Sequence, residues 1–394
     1  MSAGRASAAP RAGGAQGSGG RVFDQHFPQR LVFGRGALDS VGSLAAGLGR
    51  SALVVTDRGL LATGLVERVV DSLRRAGLAV HVFADVAPNP TTDQVEAGLA
   101  AGAERAIDVV VAVGGGSVHD CAKAIALVAT NGGEVADYVG VDRSVHPGIP
   151  VLAVNTTAGS GADVSRYAVI TDPHRRTKMI IADRHCTPAI ALNDPLTTLS
   201  LPRDQTVATG LDALTHAIEA VVSTAASPLT DLLALEAISL IAEALPRVVR
   251  DGSDAEGREA MLRAATFAGL AINGALVGAV HALAHALGAL TDLPHGVCNG
   301  LLLPAVVEFN LPAASAGYER VARAFGTGVT AARLAATLRA FTRGLGLPSG
   351  LGAAGVAPSL VPQLVDRALA DLCLTTNPRP VSREDAAAIY ERAW

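Results

Sequence analysis

Asp212 and His216 stand four residues apart in GLDALTHAIE, and His281 and His285 stand four apart in HALAH, with His295 following in LPHG. Helical positions i and i+4 leave one face about a turn apart, so such pairs present their donors together. One carboxylate with imidazoles is a ligand set for Fe(II), Zn(II) or Mn(II). Of the chain's 10 histidines, four fall in GLDALTHAIE and VHALAHALGALTDLPHG, and Asp212, His216, His281 and His295 together can surround a divalent cation. A single HxxxH pair is more often a surface or core feature; two pairs followed by PHG are much harder to dismiss. HALAH is not HExxH, because Ala282 stands where a zinc protease carries its general-base Glu.

The segments that carry these residues read as helices without Pro, except that His295 sits in a Pro-Gly context that reads as a loop. From 200 to 394, Ala and Leu recur at spacings of three and four, as in SPLTDLLALEAISLIAEALPRVVRDG, with Ser227 before Pro228 and Gly252 past the end. This half is expected to be all-helical. From 21 to 199, SALVVTDRG, AVHVFADV, DVVVAVGGGS and IPVLAVNTT each read as a strand running into a turn, and stretches such as TTDQVEAGLAAGAERA as amphipathic helices. Continuous Val and Ala runs, rather than strict alternation, suit a parallel sheet buried on both faces. The first half is therefore expected to be a doubly wound α/β domain, with the cation facing it across a cleft.

A chain of 394 residues is long enough for two cores. Its 49% hydrophobic and 17% charged residues suit a well-buried enzyme, and a net charge of −4 gives no basic footprint for nucleic acid or an anionic membrane. No apolar run reaches the length of a membrane span. Cys121, Cys186, Cys298 and Cys373 are scattered, without CxxC, which favours a reducing compartment. Residues 1–20 lack an apolar stretch and read as a flexible tail rather than a signal peptide. The expected location is the cytoplasm.

Gly114, Gly115, Gly116 and Ser117 sit where a strand ends and a helix begins. Glycines let the backbone approach a pyrophosphate, and the free N–H groups of a helix start favour its charge. The order is not GxGxxG, and alone the triplet is as well read as a plain turn. Asp57 ends an earlier strand, where a carboxylate can bond an adenosine ribose and repel a 2′-phosphate; this favours NAD(H) over NADP(H). An ordinary N-cap is its plain alternative. NTTAGSG, Asn155 to Gly161, is a second polar turn suited to a nucleotide.

The order of PNPT (Pro88 to Thr91), GGGSxxDxAK (Gly114 to Lys123), NTTAGSG, GLDALTHAIE and HxxxH with PHG ten residues beyond resembles the iron-containing, group III alcohol dehydrogenases. The resemblance runs from about Phe23 to the C-terminus. It is closest to the 1,3-propanediol dehydrogenase and bacillary methanol dehydrogenase branch, through GGGSVHDCAKAIALVATNGG, YVGVDRS and LPHGVCN. It implies an α/β dinucleotide-binding domain followed by an all-α domain, in a dehydroquinate synthase-like fold. It further implies that Asp212, His216, His281 and His295 hold the metal, Fe(II) with Zn(II) as the alternative, and that His285 is a non-ligand active-site residue able to relay a proton. Asp57, Asn89, Gly115, Gly116, Ser117, Asp120, Thr156, Thr157, Ser160 and Lys178 match nucleotide-contacting positions. The implied reaction is hydride transfer between NAD(H) and a small primary alcohol or aldehyde, by a homo-oligomer of two or more chains.

Departures bear on the substrate. Around the HxxxH helix the chain carries Ile272, Gly274, Val277, Ala279, Ala286, Leu290 and Thr291, and Pro304-Ala305-Val306 replaces a His-bearing triplet. These read as compensated core changes, or as a roomier pocket in which Arg166 meets an anionic group. The latter suits a reductase of a small anionic aldehyde such as phosphonoacetaldehyde. A dehydroquinate synthase-like lyase would need Lys and Arg around His281 and His295, and these are nearly absent. A filament-forming scaffold would not need the complete ligand set.

Overall fold

Apolar runs without polar alternation need cover on both faces, and the strands they form receive it. The computed structural model describes residues 22–394 apart from positions 104 and 176, so the tail expected over 1–20 lies outside the described residues. The first half runs β1 (Arg30–Phe33), α1 (Val41–Ala46), β2 (Ser51–Val55), α2 (Arg58–Leu61), α3 (Leu65–Arg75), β3 (Ala79–Phe83), α4 (Thr92–Gly102), β4 (Val109–Gly114) and α5 (Gly116–Asn131). It continues with β5 (Gly140–Val141), β6 (Val151–Asn155), β7 (Tyr167–Asp172), β8 (Thr177–Ala182) and β9 (Ile190–Asn193). Six strands form an all-parallel sheet in the order β1-β9-β6-β4-β2-β3. Val109, Val111 and Val113 of β4 pack with Val66, Val69 and Leu73 of α3, while Val110 and Ala112 face Val95 of α4 and Cys121 and Ile125 of α5. Helices thus cover both faces, as the Val-rich pattern requires.

From β2 the chain passes to β3 on one side and then to β4 on the other, so the strand order reverses between β2 and β4. In open α/β sheets the crevice beyond the carboxyl ends at such a reversal is where ligands bind. Asp57 follows β2 and Gly115 follows β4, which puts both at this crevice. The register Gly114↔Asn155 sets the NTTAGSG turn beside the glycine turn. A second sheet, β5-β8-β7, contains an antiparallel β7–β8 hairpin, which the reading of the first half as purely parallel does not anticipate.

The second half holds α6 (Arg203–Val222), α7 (Pro228–Arg250), α8 (Ala255–Ala275), α9 (Ala279–Thr291), α10 (His295–Phe325), α11 (Ala331–Gly344), α12 (Val361–Leu369) and α13 (Arg383–Arg392). Ser227 caps α7 in a reciprocal box with Thr230, and Pro228 occupies the first turn, where its missing N–H costs nothing. Their apolar faces share one core, including Leu211, Leu214, Ile238, Leu283 and Leu302. Although α10 is apolar and long enough to span a membrane, 67% of its apolar window is buried inside the protein. Its apolarity is that of a core element.

The two halves are joined by polar contacts as well as by chain. Gln25 Nε2 donates to Leu270 O at 2.6 Å, and Asn273 Nδ2 to His26 O at 3.0 Å, so the segment before β1 leans on α8. Asp163, fully shielded, accepts from Asn155 and from Asn193, whose Nδ2 also meets Thr266 Oγ1 of α8. Burial raises its carboxyl above the ordinary range against these hydrogen bonds. Asp163 therefore ties β6 and β9 to the helical half.

Candidate functional site

Asp212 and His216 lie mid-way along α6, and His281 near the start of α9; all three are buried. His295 is not in a loop. It is the first residue of α10, with Pro294 preceding it in an extended conformation, so the Pro-Gly context marks a helix start. Asp212 Oδ1 lies 3.7 Å from His216 Nε2, 3.6 Å from His281 Nε2 and 3.4 Å from His295 Nε2. Metal–nitrogen bonds of about 2.0–2.1 Å in a tetrahedral array hold their donors about 3.4 Å apart. The ligand atoms of Asp212, His216 and His281 all lie within 4.8 Å of one another and fit one divalent cation, and His295 Nε2, 3.4 Å from Asp212 Oδ1, stands beside them as the fourth donor.

Charge supports the fit. Burial opposes ionisation of Asp212, yet the imidazoles, His216 foremost, overcome it and hold the carboxyl below its usual range. Burial drives His216 down to about 4 and holds His295 well below its ordinary value. Both are then neutral at pH 7, with nitrogen lone pairs free to bind a cation. Burial would lower His281 too, but Glu219 and Asp212 outweigh it and raise it to about 9, so a cation bound there displaces the Nε2 proton and keeps the one on Nδ1 facing Glu219.

Glu219 and Asn299 are functional residues that spacing alone does not single out. Glu219 is on the Asp212–His216 face of α6 and is 4% exposed. Its Oε2 lies 2.5 Å from His281 Nδ1, and its Oε1 accepts from Val280 N at 2.6 Å in the first turn of α9. One carboxylate thus fixes the ring so that Nε2 points inward and also satisfies a free N–H at the helix start. Asn299, one turn beyond His295 on α10, donates to Asp212 Oδ1 at 2.9 Å. His285 stands one turn beyond His281, its ring stacked 5.2 Å from that of His295. Its Nδ1 meets Asp371 Oδ2 at 2.8 Å, and its Nε2 shares no such bond with Asp212.

Across the cleft, Gly115 caps α5 and Gly116 opens it. A Cβ at Gly115 would lie 2.8 Å from Thr157, and one at Gly116 2.6 Å from Ser160 Oγ, so side chains here would close the space between the two polar turns. Ser117 Oγ accepts from Asn89 N, and Asn89 Oδ1 accepts from Lys178 Nζ at 3.0 Å. Burial lowers the Lys178 ammonium, while Cys298, Asp120, Asp212 and Asp371 pull the other way. Those carboxylates lie on both sides of the cleft, so Lys178 stands between the nucleotide turn and the metal constellation. Thr156 N bonds Gly114 O, fixing the second turn to the first. Asp57 Oδ1 caps α2 through Leu60 N, so it serves as the N-cap that was its plain alternative, with Oδ2 left for another donor.

The end of GGGSxxDxAK serves the fold. Asp120 Oδ2 accepts from Val169 N, and Lys123 Nζ donates to Ser165 O and Tyr167 O at 2.8 Å each. Both anchor β7; Asp120, which the resemblance places on the nucleotide, gives its Oδ2 to Val169 N. Arg166 is likewise engaged, its Nη1 3.4 Å from His26 Nε2 and 3.8 Å from Asp142 Oδ2, and its buried Nε lacks a partner.

The chain matches the family described as iron-containing alcohol dehydrogenase over residues 28–195, and the C-terminal part of the Fe-containing alcohol dehydrogenase family over residues 206–394. The NAD-dependent methanol dehydrogenase of Bacillus methanolicus is 41% identical over 375 residues, covering 93% of this chain and 98% of that protein. The crystal structure of 1,3-propanediol oxidoreductase superposes with a TM-score of 0.92 at 40% identity, over 95% of this chain and 100% of that one. The sulfoacetaldehyde reductase from Bifidobacterium kashiwanohense, solved with NAD+, superposes with a TM-score of 0.87 at 28% identity, over 95% of this chain and 99% of that one.

Proposed function

Because this chain belongs to the iron-containing alcohol dehydrogenase family, we propose that it transfers hydride between NAD(H) and a small primary alcohol or aldehyde, using one divalent metal held by Asp212, His216, His281 and His295. Fe(II) is the proposed ion and Zn(II) the alternative, since three imidazoles and a carboxylate serve either. The observation that carries this reading is the convergence of three Nε2 atoms on Asp212 Oδ1 at 3.4–3.7 Å, across a cleft from the glycine-capped start of α5. When bound, the metal supplies Lewis acidity toward a substrate oxygen and the nicotinamide supplies or accepts the hydride.

The protein's own groups do the rest. Gly115, Gly116 and Ser117 offer backbone N–H groups to the pyrophosphate at the start of α5, with Asn89, Thr156, Thr157 and Ser160 framing the same space. Lys178 adds a cation beside them, and Asp57 turns its free oxygen to the ribose. Glu219 and Asn299 hold His281 and Asp212 in place. His285 receives or returns the hydroxyl proton at Nε2. Packing of both halves against the cleft excludes water from the reacting atoms. The expected state is a cytoplasmic homo-oligomer, a dimer or larger.

NADH oxidation with a panel of aldehydes, after chelation and with Fe(II) or Zn(II) restored, tests the reading. Activity that requires both a metal and an aldehyde is expected; no aldehyde-dependent oxidation under any metal rejects it. A small anionic aldehyde such as phosphonoacetaldehyde is a second reading, favoured by the likeness to a sulfoacetaldehyde reductase. Including phosphonoacetaldehyde and sulfoacetaldehyde in the panel separates it from neutral short aldehydes.

The coenzyme preference has its own test. Asp57→Ser keeps an oxygen to cap α2 but removes the charge that repels a 2′-phosphate. The ratio of kcat/KM for NADPH over NADH should rise by about 10-fold or more, roughly the effect of one charge contact. An unchanged ratio would take Asp57 out of the ribose site.

A further inference from the structure

His285 is aimed from two sides. Its ring stacks on His295 at 5.2 Å and 18°, and its Nδ1 lies 2.8 Å from Asp371 Oδ2, 86 residues away in sequence. Asp371 is itself fixed. It follows α12, caps the short turn Leu372–Thr376, and its Oδ1 accepts from Cys373 N at 2.8 Å. Side-chain exposures of 16% for His285 and 13% for Asp371 leave the pair shielded but facing the cleft.

An ionised carboxylate is only an acceptor. His285 can make this bond only with the proton on Nδ1, which leaves the Nε2 lone pair for the other side of the ring. The Asp371 carboxyl lies below its usual range, because the hydrogen bonds from His285 and Cys373 outweigh burial. Burial favours the opposite outcome, so the ionised form is one the surroundings select.

We propose that Asp371 is a positioning residue for the hydride-transfer reaction: it fixes the tautomer and plane of His285 so that Nε2 faces the substrate oxygen as a proton acceptor. The inference rests on the proposed role of His285 in the dehydrogenase reading. Asp371 hydrogen-bonds His285 and the backbone of Cys373, so its direct bond to the site is through one ring. In the Ser-His-Asp triad, replacing the corresponding carboxylate with an amide leaves geometry intact and lowers kcat by about 10⁴ through the wrong tautomer. Here the imidazole is one contributor among several, so a smaller loss follows.

The test is a mutant cycle on the metal-loaded full chain. Asp371→Asn can donate to Nδ1 and impose the Nε2–H tautomer. It should lower kcat by about 10²- to 10³-fold, leaving KM for the aldehyde within about 3-fold, and leaving metal per chain and NADH binding by fluorescence unchanged. Asp371→Glu should recover part of kcat. In a His285→Ala background, Asp371→Asn should cost less than about 3-fold, because its route of action is gone. Equal losses in both backgrounds, or full kcat in Asp371→Asn, would overturn the positioning role. Wild-type protein without metal- and aldehyde-dependent NADH oxidation would instead reject the dehydrogenase reading itself.

Discussion

His281→Ala is expected to leave less than one-tenth of the wild-type metal per chain and to lower kcat by about 10³-fold or more, while NADH still binds. The loss follows from the geometry: His281 Nε2 is one of three nitrogens around Asp212 Oδ1, and Lewis-acid stabilisation of several kcal/mol corresponds to at least that factor. The substitution has a second effect. Glu219 is 4% exposed and loses its bond to His281 Nδ1, keeping only Val280 N; an uncompensated buried charge costs about 3–5 kcal/mol. His281→Ala should therefore also lower the melting temperature. Adding Glu219→Gln removes the stranded charge and should restore part of the stability without restoring metal. Glu219→Gln alone should keep the fold and weaken metal affinity by about 10- to 100-fold, the usual cost of losing a carboxylate behind a ligating histidine. Metal content by elemental analysis, NADH fluorescence and thermal melts separate these outcomes. A metal-free His281→Ala protein with full activity would refute the metal's role.

What spacing reveals is local. Asp212 and His216 are legible because four residues on a helix place two donors on one face, and β2, β4 and β6 are legible because strands buried on both faces carry nearly continuous apolar runs. Glu219 lies on the same face as His216, three residues on, yet a lone Glu on a helix is ordinarily solvated. Only the fold brings His281, 62 residues away, against it. Asp371 is hidden in the same way, 86 residues from His285. The β7–β8 hairpin alternates buried and half-buried positions over Tyr167–Asp172, a period-two signal masked by the continuous apolar runs around it. The family resemblance supplies His285 and most of the nucleotide turn. It does not reveal that Asp120 also holds β7 through Val169 N. A motif records which residues recur, and contacts decide whether each serves ligand or fold.

Gly296 shows how packing of the backbone sets the metal geometry. A Cβ built there would lie 1.8 Å from Ala208 O and 2.5 Å from Ala208 C, so the first turn of α10 touches the backbone of α6. Ala208 is one turn before Asp212, and Gly296 follows His295 directly. This close approach is what brings His295 Nε2 to 3.4 Å from Asp212 Oδ1. Gly296→Ala must push the helices apart, because the obstructing atoms are backbone and cannot rotate away. Overpacking of a well-filled core costs about 1–3 kcal/mol, and a backbone clash belongs at the upper end of that range. Widened donors also fit a cation poorly, so metal affinity should fall by about 10-fold or more. Gly344→Ala is the matched control. It is exposed near the end of α11, and its added Cβ would meet nothing within 4 Å. There the same swap should stabilise by up to about 1 kcal/mol, since alanine loses less backbone freedom in a helix. Opposite shifts in melting temperature, with metal lost only from Gly296→Ala, are the expected result. Wild-type stability and metal content in Gly296→Ala would mean that the α6–α10 contact yields, and that His295 is set by something other than this approach.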